Sequence, residues 1–469
     1  MDIPGLNLGP APAAAAAPAN TVDLPPEHEW RFEVALDAEV QLQLVAGTAE
    51  IFGTEIAGGV TYKFSAAKLA VFTYQGCRLE WTGEAQVEYT SDETPMSAYL
   101  NLHFALEKQR MLAQERDLLS RASAAVGLAP AGAGGEGEGP KVLILGPEGS
   151  GKSTLAKILT AYAIKMGRAP MVVNLDPRES MTGVPPGTLT AASYSTLMDV
   201  EDNVWGTCPT NGPSPSAPKT PIGYYYGADS PTTNPAFYRA LATRLSLAVA
   251  SRLAVDDKVR VSGTIIDTAG VVDQRHYDII EGVVGDFGVT AVVIIGNERL
   301  FNDMKRKYAG APGMAVLKIA RSGGVVDRDA AYVRAVQQRT IKEYFYGSAR
   351  NMLSAYAVTV DYSTLTVYEI GEKSHLVSSS VLPIGDDQAT AQLTPVTKLE
   401  PSSQMQNAVL AILYANPGDA DADVAVASVM GFVHVVEADD TKRKLKVLIP
   451  IQGRLPSRVL LMGQFRYVE

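Results

Sequence analysis

Cysteine is almost missing. Cys77 and Cys208 are the two copies in 469 residues, and neither belongs to a CxxC pair. A disulfide framework and a structural zinc site find no support, and a reducing compartment is the expected home. Histidine is scarce too, with five scattered copies. No apolar run approaches the ~20 residues of a membrane helix, and the first residues lack the charged start and apolar core of a signal peptide. The expectation is a soluble, intracellular chain. A basic excess is also lacking: 41 Lys and Arg against 51 Asp and Glu leave a net charge of -10. This argues against a surface that grips nucleic acid throughout, while leaving room for a local basic site.

What is present divides by composition. Residues 1–26, with APAAAAAPAN, read as a flexible leader. Residues 27–110 open with short alternating segments broken by Gly and acidic pairs, the pattern of an antiparallel all-β domain. The period turns helical at Leu100, Leu102 and Leu106 and runs into the linker AGAGGEGEGP. A central domain over 111–347 follows, with flexible stretches expected at 122–139 and 207–221, the latter Pro- and Ser-rich. Residues 348–469 return to short strands. The fold expected is therefore α/β: a central P-loop NTPase domain on a parallel sheet, flanked by an N-terminal all-β domain and a C-terminal β-rich domain.

The chemistry starts at GPEGSGKST, residues 146–154. It fits G-x-x-x-x-G-K-[ST], with an apolar strand before it and an amphipathic helix after it. Gly146, Gly149, Ser150, Gly151 and Thr154 would close backbone N–H groups around phosphates at the positive end of that helix. Lys152 would neutralise the β and γ phosphates, and Ser153 would ligate Mg²⁺. Asp267, in IIDTAG, stands where a second Mg²⁺ ligand is expected, and Asp176, ending MVVNLD, where a carboxylate accepts a proton from an attacking hydroxyl. An Asp closing a strand also simply caps a turn. Arg299 and Arg306, in NERLFNDMKRKY, lie seven apart and would share a helix face as a cationic lid; a solvated basic face has the same spacing. The guanine-reading NKxD signature is absent, so ATP is expected over GTP.

Beyond the P-loop, the segments AEIFGTEI, YLNLHFALEK, NERLFNDMKRK, RSGGVVDRD, IKEYFYG and KVLIPIQGRLPSRVLL together resemble the polynucleotide 5′-hydroxyl kinase family, typified by the kinase-like ATP-binding subunit of the mRNA cleavage and polyadenylation machinery, fungal members above all. The resemblance implies a nuclear ATP- and Mg²⁺-binding protein whose partners are other 3′-end processing subunits, including the scaffold subunit that contacts the RNA polymerase II tail. It implies that Glu29 in HEWRF and Lys68 in AAKLAVF reach the adenine, that Asp176 is the general base, and that Arg299 and Arg306 close on the phosphate.

Two departures fall on the acceptor side. LDPRES places Pro177 and Arg178 where active members carry a Val-Gly-Gln-like turn, and DTAGVV places Val271 where they carry a base-stacking Trp. The expectation is a subunit that holds ATP as a structural ligand and assembles partners, with 5′-hydroxyl kinase activity the alternative. The tract KRKLK (442–446) could serve as a nuclear signal but alternates like a strand.

Overall fold

The computed structural model describes residues 19–125, 137–202, 221–348, 351–371, 395–450 and 452–468. The chain divides into two compact units, one comprising residues 1–94 with 322–326, the other 95–321 with 327–469.

The first unit holds strands β1 (Asn20–Leu24), β2 (His28–Glu33), β3 (Val40–Gly47), β4 (Glu50–Ile51), β5 (Thr54–Glu55), β6 (Thr61–Phe64), β7 (Lys68–Thr73), β8 (Cys77–Gly83) and β9 (Val87–Ser91). They form two sheets, ordered β1-β8-β3-β6 and β5-β4-β7-β2-β9. Strand periodicity decides what β2 does with each residue. Trp30 and Phe32 are buried and stack at 4.4 Å, with Trp81 and Phe64 around them. Glu29, Arg31 and Glu33 take the opposite face. Residues 20–24, expected within the leader, are instead β1, paired antiparallel to β8 with Leu24 buried. Five alternating residues after an Ala/Pro run are too short to read as a strand without their partner.

The second unit opens with α1 (Met96–Ala125), one unbroken helix across the boundary expected at 110. Residues 122–125 belong to it, and Gly139 is tied by its N–H to the Arg260 carbonyl, so the ends of the expected flexible stretch 122–139 are ordered. Residues 126–136 and, of the 207–221 stretch, all but Pro221 lie outside the described residues. There follow β10 (Lys141–Leu145), α2 (Lys152–Lys165), β11 (Met171–Leu175), β12 (Thr188–Ser193), β13 (Ile222–Tyr225), α3 (Pro235–Val255), α4 (Asp257–Ser262), β14 (Thr264–Thr268), α5 (Tyr277–Phe287), β15 (Ala291–Ile295), α6 (Glu298–Lys307), β16 (Ala315–Ile319) and α7 (Ala330–Tyr346). The sheet order is β13-β12-β11-β14-β10-β15-β16. The five strands from β11 to β16 in that order are parallel, and their apolar runs (VLIL, TII, AVVII) suit strands covered on both faces. β12 and β13 add an antiparallel edge.

The same unit continues through β17 (Gly347–Ser348), β18 (Asn351–Met352), β19 (Tyr356–Asp361), β20 (Thr366–Ile370), β21 (Val396–Leu399), β22 (Ala408–Leu413), α8 (Asp421–Ala425), β23 (Val429–Asp439), β24 (Lys444–Ile449) and β25 (Val459–Arg466). Seven of these strands form a second sheet, ordered β19-β24-β23-β22-β25-β20-β21. It meets the end of β13 at a close backbone approach, where a Cβ on Gly463 would stand 2.6 Å from the Gly227 Cα, and Tyr225 packs edge-on against Phe432 at 5.6 Å. The tract KRKLK enters β24, where Lys444 pairs in register with Asp361 and Asp439 and Lys446 with Glu437. Its lysines face acidic neighbours.

Candidate nucleotide site and acceptor cleft

The phosphate cradle is the turn between β10 and α2. Gly151 precedes α2 at φ 90°, a left-handed conformation that side chains resist. Gly146 has no room for one, since a Cβ would come within 2.7 Å of Ser150 Oγ and 2.8 Å of the Ile295 carbonyl. The result is a tight loop at a helix N-terminus, the geometry in which backbone amides can receive an anion. Buried Lys152 folds over it, its Nζ donating to the Pro147 carbonyl at 2.7 Å. Ser153 Oγ donates to Asp267 Oδ2 at 2.5 Å, because β10 and β14 run side by side with Ile144 opposite Asp267.

Two buried oxygens here have no hydrogen-bond partner among the described residues, Ser150 Oγ and Asp267 Oδ1. Burial raises the Asp267 carboxyl above its ordinary value, against the pull of Lys152 and Ser153. An orphaned carboxylate oxygen beside a serine hydroxyl is the donor set a divalent cation would satisfy, and the amine and loop amides suit the phosphates it accompanies. The residues present fit a nucleotide with its metal.

Beside the cradle lies a cleft of about 190 Å³ with Asp176 in its wall. Asp176 directly follows β11, which lies next to β14 in the sheet with Asn174 opposite Asp267. Burial, then the nearby Asp267, push its carboxyl up to about 7, while Lys152 pulls the other way. The turn after it is pinned. The Pro177 carbonyl accepts from Gly187 N at 2.7 Å, the Arg178 carbonyl from Gln337 Nε2 at 3.2 Å, and Asp176 Oδ1 from Arg178 N at 3.0 Å. Arg178 is thereby aimed back at the P-loop, where its Nη1 donates to Glu148 Oε2 at 2.6 Å. Gly270 of the DTAG step leaves the space for this, since a Cβ there would sit 2.7 Å from Glu148 N. Asp229, Ser230, Thr232, Asp273 and His276 complete the polar lining, with Val271 beside them. Four carboxylates thus face one arginine and one histidine.

Three family models match successive parts of this chain: the N-terminal beta-sandwich domain of polyadenylation factor over residues 23–113, the mRNA cleavage and polyadenylation factor CLP1 P-loop over 146–347, and the pre-mRNA cleavage complex II protein Clp1 over 353–469. The mRNA cleavage and polyadenylation factor clp1 of Botryotinia fuckeliana is 41% identical over 477 residues, spanning 99% of this chain and 98% of the relative. The CLP1 of Phaeosphaeria nodorum is 39% identical, spanning 99% and 97%. The chain belongs to the Clp1 family.

Solved Clp1 structures agree with the fold. One, of a wild-type Clp1p-Pcf11p complex, superimposes with a TM-score of 0.82 at 27% identity, covering 96% of this chain and 99% of the other. Another, also at 0.82 and 26% identical over the same shares, concerns an extended Pcf11p and Clp1p interface and the structural basis for ATP loss in a glycine-to-arginine point mutant.

Of the other residues singled out in the sequence, Arg299 and Arg306 lie on α6, which buries Leu300 and Met304. Arg299 Nη2 donates to Gln274 Oε1 at 2.7 Å and Arg306 Nη2 to Asp303 Oδ1 at 2.7 Å, while Gln274 donates to Asp303, so one polar network joins them. Neither lines the cleft. Within the N-terminal unit, Glu29 is buried between Arg31, whose Nε donates at 2.8 Å, and the Thr94 hydroxyl. Lys68 pairs with Glu33 at 2.9 Å. Glu29 lies opposite Phe72 and Lys68 opposite Glu33, which sets them on one sheet face four residues, about 13 Å, apart along the strand.

Sequence reasoning missed two residues that organise these surroundings. Arg31 is buried; its Nη2 donates to the Glu93 carbonyl and to Glu93 Oε2 at 3.0 Å, and reaches Ser322 Oγ at 3.4 Å. It holds residues 322–326 to its unit, with Gly324 so close that a Cβ would meet the guanidinium. Its position two residues after Glu29 signalled a shared face. Glu148 carried no signal, because the P-loop pattern leaves that position free.

Proposed function

We propose that this chain is the ATP-holding subunit of a nuclear pre-mRNA 3′-end cleavage and polyadenylation complex, with bound ATP and Mg²⁺ as a structural ligand. Ser153 and Asp267 would hold the cation and Lys152 the β and γ phosphates; the resemblance gives the adenine to Glu29 and Lys68. Bound ATP supplies a polyanion that joins the groups around it, and anything that binds only the assembled form stabilises it by mass action. The family's naming and the solved Clp1p-Pcf11p complex support a scaffold subunit of the same machinery as partner, the one the resemblance places at the RNA polymerase II tail.

The observation that carries the holding reading is the Glu148–Arg178 pair in a cleft whose other charges are mostly carboxylates. A polynucleotide end approaching Asp176 brings phosphates, which carboxylates repel, and the one arginine there is already engaged. Denaturing the purified protein and chromatographing the released nucleotide tests this reading. About one intact ATP per chain is expected; ADP or no nucleotide would count against it.

One observation favours the alternative, an RNA 5′-hydroxyl kinase with Arg299 and Arg306 as its lid. Near 7, Asp176 has the proton affinity a general base needs at neutral pH. The chemistry of proton acceptance is thus present, and what is lacking among the described residues is a free cation in the cleft to receive the phosphates of the incoming end.

A further inference from the structure

The inner face of α1 is buried through Leu102, Leu106, Arg110 and Ala113. Its outer face also carries an apolar stripe. Phe104, Met111 and Leu118 are 56%, 60% and 60% exposed, with Leu112 and Leu119 beside them at 42% and 61%. Lone exposed apolar residues are ordinary on a protein surface, but five along one helix stripe are not. The order within the stripe is informative. Phe104, exposed Lys108, Met111, exposed Glu115 and Leu118 follow one another at intervals of 4, 3, 4 and 3 residues, the spacing of a helix-packing seam.

This seam reads nearly the same in both directions. Reversed, it gives apolar, acidic, apolar, basic, apolar, with Met111 at its centre. A two-fold axis near Met111 and Leu112 therefore sets Phe104 against the leucines at the far end of an antiparallel copy and Lys108 beside Glu115 of the partner subunit. Isologous pairing demands such self-complementarity. A parallel arrangement would stack Lys108 on Lys108 of the partner subunit and Glu115 on Glu115 of the partner subunit. From the seam and its charge order we infer that α1 is a homodimerisation helix, which docks antiparallel on α1 of a second copy of this chain.

The stripe from Phe104 to Leu119 is about 22 Å long and covers less than the roughly 800 Å² per partner of a standard interface. Self-association is accordingly expected at about 10 μM. Sedimentation velocity of the full chain across a concentration series tests this. Both Lys108→Glu and Glu115→Lys place like charges across the axis and are expected to weaken the dimer at least about tenfold. The double variant restores opposite charges and is expected to return dimerisation to near the starting value. Circular dichroism should be unchanged, because both side chains are exposed. A chain monomeric at 100 μM (about ten times the expected constant), single variants that dimerise undiminished, or a double variant that stays monomeric would each overturn the inference.

Discussion

The two sides of the P-loop are built in opposite ways. On the nucleotide side, one contiguous motif supplies the glycines, Lys152 and Ser153, and Asp267 arrives on the neighbouring strand at 2.5 Å from the serine hydroxyl. Buried oxygens there still have capacity to bind. On the acceptor side, polar groups are already paired with one another: Arg178 with Glu148, and the Pro177 turn with Gly187 and Gln337. A site that leaves its donors and acceptors open is prepared for a ligand, whereas one that satisfies them internally must break bonds to admit one. On the proposed reading, the same loop serves binding rather than transfer.

That contrast can be broken from either side. Lys152→Ala removes the buried amine from the cradle and should weaken ATP binding by about a hundredfold or more, measured calorimetrically. Gly270→Ala should cost about tenfold in the same titration, because the new methyl presses on the Glu148 backbone and shifts the loop. Unaltered affinity would mean that the cleft and cradle are not mechanically joined there.

Asp176 sharpens the contrast through pH. Its folded-state carboxyl stands near 7, above the ordinary 3.8, so the stability it contributes is fully present below about 4 and is lost as pH rises through about 7. In thermal melts of nucleotide-free protein, Asp176→Asn should raise the melting temperature at pH 8 and leave it unchanged at pH 4. Equal effects at both values would place the carboxyl at its ordinary proton affinity. The smallest effect is expected from Glu148→Gln, which frees Arg178 and removes one negative charge. Affinity for a 5′-hydroxyl RNA oligonucleotide should rise about five- to tenfold at low salt, read by fluorescence anisotropy.

Legibility follows the same division. The cradle was readable because its chemistry is local in sequence and flanked by a strand and a helix, and the parallel core was readable from doubly buried apolar runs. The Glu148–Arg178 pair spans 30 positions and depends on a pinned turn, so no window of sequence contains it. β1 needed β8 to become a strand, and β12 and β13 needed each other to form an antiparallel edge. Residues 322–326 sit with the N-terminal unit because of Arg31, 291 positions away from Ser322. In α1 an exposed apolar stripe runs opposite the buried one, which blurred the amphipathic signal that would have separated core from surface.

The central claim is that this P-loop holds its phosphate. It is tested most directly by incubating the purified protein with Mg²⁺, γ-labelled ATP and a 5′-hydroxyl RNA oligonucleotide, beside an Asp176→Ala control. The account predicts no label on the RNA and ATP recovered intact from the denatured protein. Label on the RNA that vanishes in the control would contradict it and make Asp176 the base of a working kinase.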